Sequence, residues 1–282
     1  MTVKIVTDSL SDITSEIARE FDITVIPLTV LFGHDSYLDG VTITSEQFYD
    51  RLINGKVWPT TTQPTPALFA ETYNKLLEET DEILVIDASS KLSGTYQSAL
   101  SAKTMVNKKA RIEVIDTQKV AMSLGLIAIS TARKARRGAS MDELVAYVNR
   151  SLDRAHFAVY FDTLQYLAKG GRIGKAKELM GSVLSIKQIL TIKDGEMAPL
   201  ARKRSLVAGM DYLVSYVQSL PGVAEIAIEH TTNPTEGDKL EERLRPLLAG
   251  NNKRIFRTKV SPVLGVYSGP GAIALGILES GD

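Results

Sequence analysis

Apolar residues along the chain fall into short runs that close on small polar residues, and most runs are followed by a stretch with helical spacing. Val3 to Val6 is the first such run. It ends in Thr7-Asp8-Ser9, ahead of a helix-start pattern from Asp12 to Glu16 and an amphipathic stretch through Phe21. Ile23 to Leu31 predicts a second extended segment, broken by Pro27. Thr44-Ser45-Glu46-Gln47 has capping-box spacing for a helix through Ile53. Trp58 to Pro66 holds three prolines and four threonines, which predicts an ordered loop, and Pro66 suits the first turn of a helix to about Glu79.

The stretch on which the rest is organised is Ile83 to Ala99. A continuous apolar run, Ile83 to Ile86, predicts a strand covered on both faces. It runs through Asp87, Ser89 and Ser90 into Ser93-Gly94-Thr95, where helical spacing resumes. A helix start leaves backbone N–H groups unpaired, and these can hold an anion. The hydroxyls of Ser93 and Thr95 can donate to that anion or cap the helix, and the pattern alone leaves both open.

Arg111 to Ile115 predicts another strand, ending in Asp116-Thr117, and Ser140-Met141-Asp142-Glu143 caps a helix through about Leu152. Strands alternating with helices predict an α/β domain with a doubly wound parallel sheet over residues 1–155. His156 to Phe161 opens a second, mixed-sheet α/β domain over residues 156–282. Within it, Lys169-Gly170-Gly171-Arg172-Ile173-Gly174 is a glycine-rich turn without Walker or GxGxxG spacing, followed by a helix to about Ser185. Ile189 to Ile192, the turn Asp194-Gly195 and a strand toward Ala201 predict a hairpin, hence mixed pairing. Arg202-Lys203-Arg204 opens a helix from Ser205 to Ser219; cations at a helix start either face a partner or form a solvated patch. Ala224 to Ile228 and Arg254 to Val260 predict strands, Asn233-Pro234 starts a helix, and Tyr267-Ser268-Gly269-Pro270-Gly271 leads into an apolar run from Ala272 to Leu278.

Composition narrows the chemistry. Lys plus Arg and Asp plus Glu each number 33 in 282 residues, and no basic stripe tracks a phosphate backbone, so nucleic acid is not an expected partner. There is no cysteine, which removes disulfides, thiolate nucleophiles and Cys-ligated zinc together. No signal peptide is read at the N-terminus and no run reaches the roughly 18 apolar residues of a membrane span, so a cytoplasmic protein is expected. His34, His156 and His230 lack the spacing of a metal pair, and GxSxG, HExxH and P-loop motifs are missing. Asp8, Asp87 and Asp116 close three strands, where they read either as turn and cap residues or as a Mg²⁺ site for a phosphotransferase or hydrolase. Ligands of doubly wound sheets sit beyond the carboxyl ends of the strands. Those ends are rich in hydroxyls and poor in charge, which suits a neutral cradle for a small anion; a regulatory module that senses an acidic metabolite fits the same description.

Taken together, Val6-Thr7-Asp8-Ser9, Thr61-Thr62-Gln63-Pro64-Thr65-Pro66, Leu92-Ser93-Gly94-Thr95-Tyr96-Gln97-Ser98-Ala99, Lys169-Gly170-Gly171-Arg172-Ile173 and Gly269-Pro270-Gly271-Ala272 resemble the DegV family in order and spacing over the whole chain. The resemblance implies two α/β domains with an acyl chain in a tunnel between them. It implies a carrier rather than an enzyme, without cofactor or metal, that buries a long-chain fatty acid and presents its carboxylate to a separate ATP-dependent fatty acid kinase subunit for acyl-phosphate formation and phospholipid synthesis. Such a carrier has room for transient membrane contact. By position, Thr61 and Ser93 hold the carboxylate, with Thr62, Thr95, Tyr267 and Ser268 beside them, and Arg202 docks the kinase. The family commonly reads His-Thr-Gly-Pro-Gly where this chain has Tyr267-Ser268-Gly269-Pro270-Gly271. Tyrosine replaces the hydrogen bond of a histidine and not its titration near neutral pH.

Overall fold

The computed structural model describes residues 2–106, 109–179, 186–248 and 254–281. β1 (Lys4–Asp8) buries Ile5 and Val6 in different apolar clusters and ends at Asp8, whose carboxylate accepts the N–H of Leu10 at 2.8 Å and starts a 3-10 turn. α1 (Ser15–Phe21) leads to β2 (Ile23–Ile26), which pairs parallel with β1. Past Pro27 the chain enters a different ladder, in which β3 (Thr29–Phe32) pairs antiparallel with β4 (Asp35–Leu38). α2 (Ser45–Asn54) carries the expected capping box between Thr44 and Gln47. The stretch predicted as a loop contains a short strand, β5 (Thr60–Thr62), paired with β3. Pro59 and Pro64 have no N–H to offer, which confines the pairing to the threonines between them.

α3 (Pro66–Leu76), β6 (Glu82–Asp87), α4 (Thr95–Ala102) and β7 (Arg111–Asp116) complete a four-stranded parallel sheet of order β2-β1-β6-β7. α5 (Ala121–Arg136) and α6 (Met141–Leu152) follow, and β8 (Ala155–Phe161) is the first strand of the second sheet. α7 (Gln165–Lys169) precedes a 3-10 turn at Gly174–Leu179 where the sequence pattern predicts a longer helix; the rest of that helix, 180–185, lies outside the described residues. β9 (Lys187–Lys193) and β10 (Glu196–Lys203) form the predicted hairpin. After α8 (Leu206–Gln218) come β11 (Val223–His230), α9 (Pro234–Leu244), β12 (Ile255–Lys259), α10 (Pro262–Ser268) and β13 (Ile273–Glu279). The second sheet has the order β10-β9-β8-β13-β11-β12 and mixes antiparallel pairs with the parallel pair β11–β12.

α5, like the short helices α7 and α10, is not announced by the sequence pattern. Thirteen of its 16 residues are buried, so it has no polar stripe, and its N-cap residue, Val120, makes no side-chain cap. It packs on β1, β2 and β6 of the parallel sheet and on β8, β11 and β13 of the mixed one. Gly276 on β13 makes the second contact close: a Cβ there would lie 2.6 Å from the Met122 carbonyl carbon. One apolar cluster therefore runs from Ile5 and Leu84 through Leu124 and Ile127 to Val159 and Ala274. No described helix is long and apolar enough to cross a membrane.

Candidate functional site

Beside the first turn of α5 the two sheets do not close on each other. They enclose a cavity of about 420 Å³. β8 forms one wall through strand alternation: Phe157, Val159 and Phe161 face the cavity, whereas Ala158 and Tyr160 belong to the core under α8. Ala274 of β13, Met197 of β10 and Val263 and Leu264 of α10 extend the apolar lining, and Leu10, Leu28 and Ala121 cover it from the side of the parallel sheet.

Apart from two enclosed acids, Asp12 and Glu229, the polar lining gathers at one end. Thr61, Thr62, Gln63, Ser93, Arg172, Tyr267 and Ser268 meet there, and the exposure of Thr62, Gln63 and Arg172 marks that end as the mouth. Thr61 is brought by β5, where it pairs opposite Val30, and its Oγ1 lies 2.5 Å from the hydroxyl of Tyr267 in the last turn of α10. Gly170 lets that ring settle, because a Cβ at this position would stand 2.5 Å from Tyr267 Cδ1. Ser93 Oγ lies 2.7 Å from Thr95 Oγ1 and accepts the N–H of Thr95 at 3.3 Å. The turn that holds Ser93 is tied down by Ser89, which donates to the Gly195 carbonyl at 2.7 Å and accepts the N–H of Ser93 on its own carbonyl at 3.1 Å.

Ser93 and Thr95 take different places at this turn: Ser93 is on the cavity wall, whereas Thr95 is fully buried behind it and does not line the cavity where the sequence expects it beside the ligand. Either hydroxyl can donate in their pair; when Thr95 does, the O–H of Ser93 is left for the cavity. The Thr61–Tyr267 pair likewise keeps one proton to give.

The mouth is not free of charge, which corrects the expected neutral cradle. Arg172 lines it, with Nε donating to the Leu92 carbonyl at 3.2 Å, Nη1 to the Gly170 carbonyl at 2.9 Å, and the guanidinium carbon 5.3 Å from the centre of the Tyr267 ring. Gly171, at φ +73°, turns the chain so that a residue far along the sequence reaches the Ser93 turn. Lys169 sits 3.8 Å over Trp58, which stacks on Tyr166, so a second cation stands near this rim.

Two acids, Asp12 and Glu229, also line the cavity, both enclosed. Burial pushes Asp12 up to about 6, and burial together with the charge of Asp12 pushes Glu229 well above the usual carboxylate range. Asp39 is pushed up to about 7, again by burial. Neither Asp12 nor Glu229 stands out in the sequence.

Asp8, Asp87 and Asp116 close adjacent strands, with Asp87 directly opposite Asp116, and none of them lines the cavity. Asp8 accepts the N–H groups of Leu10 and Ala88, and Asp116 those of Ser90 and Gln118, so both work as turn residues. Among the described residues, no three His, Cys, Asp or Glu side chains are grouped to hold a metal ion. His34 is exposed, His156 meets Glu279 at 2.9 Å, and His230 is half-buried; none is on the cavity wall. Arg202 is exposed on β10, opposite Gln188.

The model of the family described as "Uncharacterised protein, DegV family" matches residues 2–280. The chain belongs to the DegV family. A DegV domain-containing protein of Caldanaerobacter subterraneus is 37% identical over 274 residues, 96% of each chain. A DegV structure from Thermus thermophilus, described for its fatty acid binding, superposes with a TM-score of 0.90 at 27% identity and covers 99% of this chain and 100% of its own. The structure of a hypothetical protein from Thermotoga maritima, said to reveal a fatty acid binding function, gives a TM-score of 0.85 at 27% identity over 99% of this chain and 100% of its own. The DegV match thus takes in both sheets, α5 between them and every residue of the cavity wall.

Proposed function

We propose that this chain is a fatty acid carrier: the acyl tail occupies the cavity between the sheets and the carboxylate rests at the mouth among Ser93, Thr61, Tyr267 and Arg172. The observation that carries the reading is the polarity of the cavity, apolar along β8, β13 and α10 and hydrogen-bonding at one end. Its volume, about 420 Å³, is in the range of roughly 300–1,000 Å³ usual for small-molecule sites. Burying a long acyl chain at about 0.8 kcal/mol per methylene gives on the order of 10 kcal/mol before the costs of association, so the tail supplies affinity. Bonds from Ser93 and Thr61 to a charged carboxylate add about 1.5–3 kcal/mol each and set its position.

The bound carboxylate serves as acceptor for a phosphoryl group from ATP on a separate kinase subunit. Two of the donors on Arg172 are engaged by the Leu92 and Gly170 carbonyls, which supports a guanidinium that orients the carboxylate without enclosing it. Exposed Arg202 is the docking residue for the kinase. The test is acyl-phosphate formation from ATP by a cognate kinase supplied with palmitate-loaded protein. Wild type supports the reaction, and Arg202→Glu slows it while retaining its palmitate. No acyl phosphate from loaded wild type, or loss of palmitate from Arg202→Glu, contradicts the reading.

A further inference from the structure

Glu229 interrupts an apolar row of the mixed sheet. Val159, Ala274 and Glu229 are cross-strand neighbours on β8, β13 and β11, and Thr258 of β12 ends the row. Glu229 is 0% exposed and Asp12 5%. Their inner oxygens are engaged by backbone: Glu229 Oε1 accepts the N–H of Met122 at 3.2 Å, and Asp12 Oδ1 accepts the N–H of Ser261 at 3.1 Å. The two carboxyls are also within hydrogen-bonding reach of each other, and apart from the Ser261 hydroxyl beside Asp12 no N–H or O–H among the described residues is bonded to Asp12 Oδ2 or Glu229 Oε2. Two enclosed carboxylates facing each other repel, so one proton must lie between them. Asp12 has both the N–H and the hydroxyl of Ser261 beside it whereas Glu229, fully enclosed, has the Met122 N–H alone, so Glu229 is its holder.

We propose that Glu229, as a neutral acid, donates a hydrogen bond to Asp12 and through it positions helix α10, and with it Tyr267, at the mouth of the cavity. The path is short. Asp12 holds the N–H of Ser261 and Asp39 holds the N–H of Val263 at 3.2 Å, so two acids fix the first turn of α10. That helix is only seven residues long, and its last turn sets Tyr267 against Thr61. A shift at its first turn is therefore carried to the head-group end. Asp12 comes from the turn after β1 and Glu229 from the mixed sheet, so their bond also ties the two sheets together across the cavity.

The groups that face the pair leave it no substitute cation. From α2 comes Tyr49, enclosed and with Ser268 of α10 beside its hydroxyl; from the turn before α10, the Ser261 hydroxyl; from the loop after β4, Asp39; from the turn after β1, Ser9; from β12, Thr258; and from α5, the Met122 N–H. Lys259 pairs with Glu46, Arg257 with Asp238, and Arg172 with main-chain carbonyls at the mouth. His230, half-buried on the far side of β11, is held low by burial and by Arg257 and Lys259. Once Glu229 ionises, nothing compensates the second negative charge.

This inference rests on the fatty acid reading for its main readout, the exchange of bound palmitate for isotopically labelled palmitate between about pH 6 and pH 9. As pH rises toward the ionisation of Glu229, wild-type exchange is expected to accelerate by up to about tenfold per pH unit, and to level off above it. Glu229→Gln, whose amide supplies the same donor without titrating, climbs less steeply than wild type and keeps only the dependence that Asp39, pushed up to about 7, contributes; Glu229→Ala exchanges fast at every pH. A wild-type profile that is flat, or a Glu229→Gln profile that climbs as steeply as the wild type, overturns the proposal, as does a Glu229→Gln protein that does not fold. If wild type holds no palmitate at any pH, the fatty acid reading fails instead. The thermal midpoint of ligand-free protein then decides the inference, since its difference between wild type and Glu229→Gln must widen as pH rises.

Discussion

Ser93 stands on the cavity wall with Thr95 behind it. Its oxygen takes the N–H of Thr95 and stands 2.7 Å from the Thr95 hydroxyl, and when Thr95 donates in that pair the Ser93 O–H serves a ligand. Ser93→Ala is expected to weaken palmitate binding by roughly ten- to hundredfold, the loss of one bond to a charged group, while thermal stability stays near wild type. Titration of delipidated protein measures it, and an unchanged affinity places the head group elsewhere. Asp87 is a different kind of residue: fully enclosed, with both carboxyl oxygens unbonded, and raised well above 3.8 by burial and by the charges of Asp8 and Asp116. The folded chain keeps the Asp87 proton where the unfolded chain loses it, so this group removes stability as pH climbs from its ordinary value toward its folded one. Asp87→Asn should therefore gain on wild type in thermal midpoint between about pH 5 and pH 8, and parallel pH profiles would count against an enclosed acid. The hydroxyls at the strand ends are visible in the sequence because they follow apolar runs. Arg172 and the Asp12–Glu229 pair are not, because only the folded chain brings residues so far apart in sequence to one wall.

α2 and α6 are legible from their start signals, and α5, which has none, is not. The Thr44–Gln47 and Ser140–Glu143 boxes announce α2 and α6, and both form as reciprocal caps. α5 hides for physical reasons. It is enclosed on all sides, Val120 makes no side-chain cap ahead of it, and Ser123, Ser130 and Thr131 turn their hydroxyls back onto helix carbonyls. A helix between two sheets shows no amphipathic period. Its packing predicts a large penalty for truncation: Leu126→Ala should lower the unfolding free energy by about 2–5 kcal/mol in denaturant titration. A loss below about 1 kcal/mol would mean that α5 is not the shared core of the two sheets. β5 escaped notice because three threonines between prolines make too short a run to stand out, although this edge strand sets Thr61 opposite Tyr267.

At the scale of the molecule, the alternation of strands and helices and the Asp194-Gly195 hairpin suffice to predict a parallel sheet followed by a mixed one. The space between the sheets follows from their shared packing on α5, and the apolar face of β8 turns that space into a conduit. Native mass spectrometry of the protein purified from a bacterial host, followed by extraction under denaturing conditions, tests this most directly. The account predicts one long-chain fatty acid per chain. A native mass equal to that of the bare polypeptide, with no fatty acid in the extract, would contradict it.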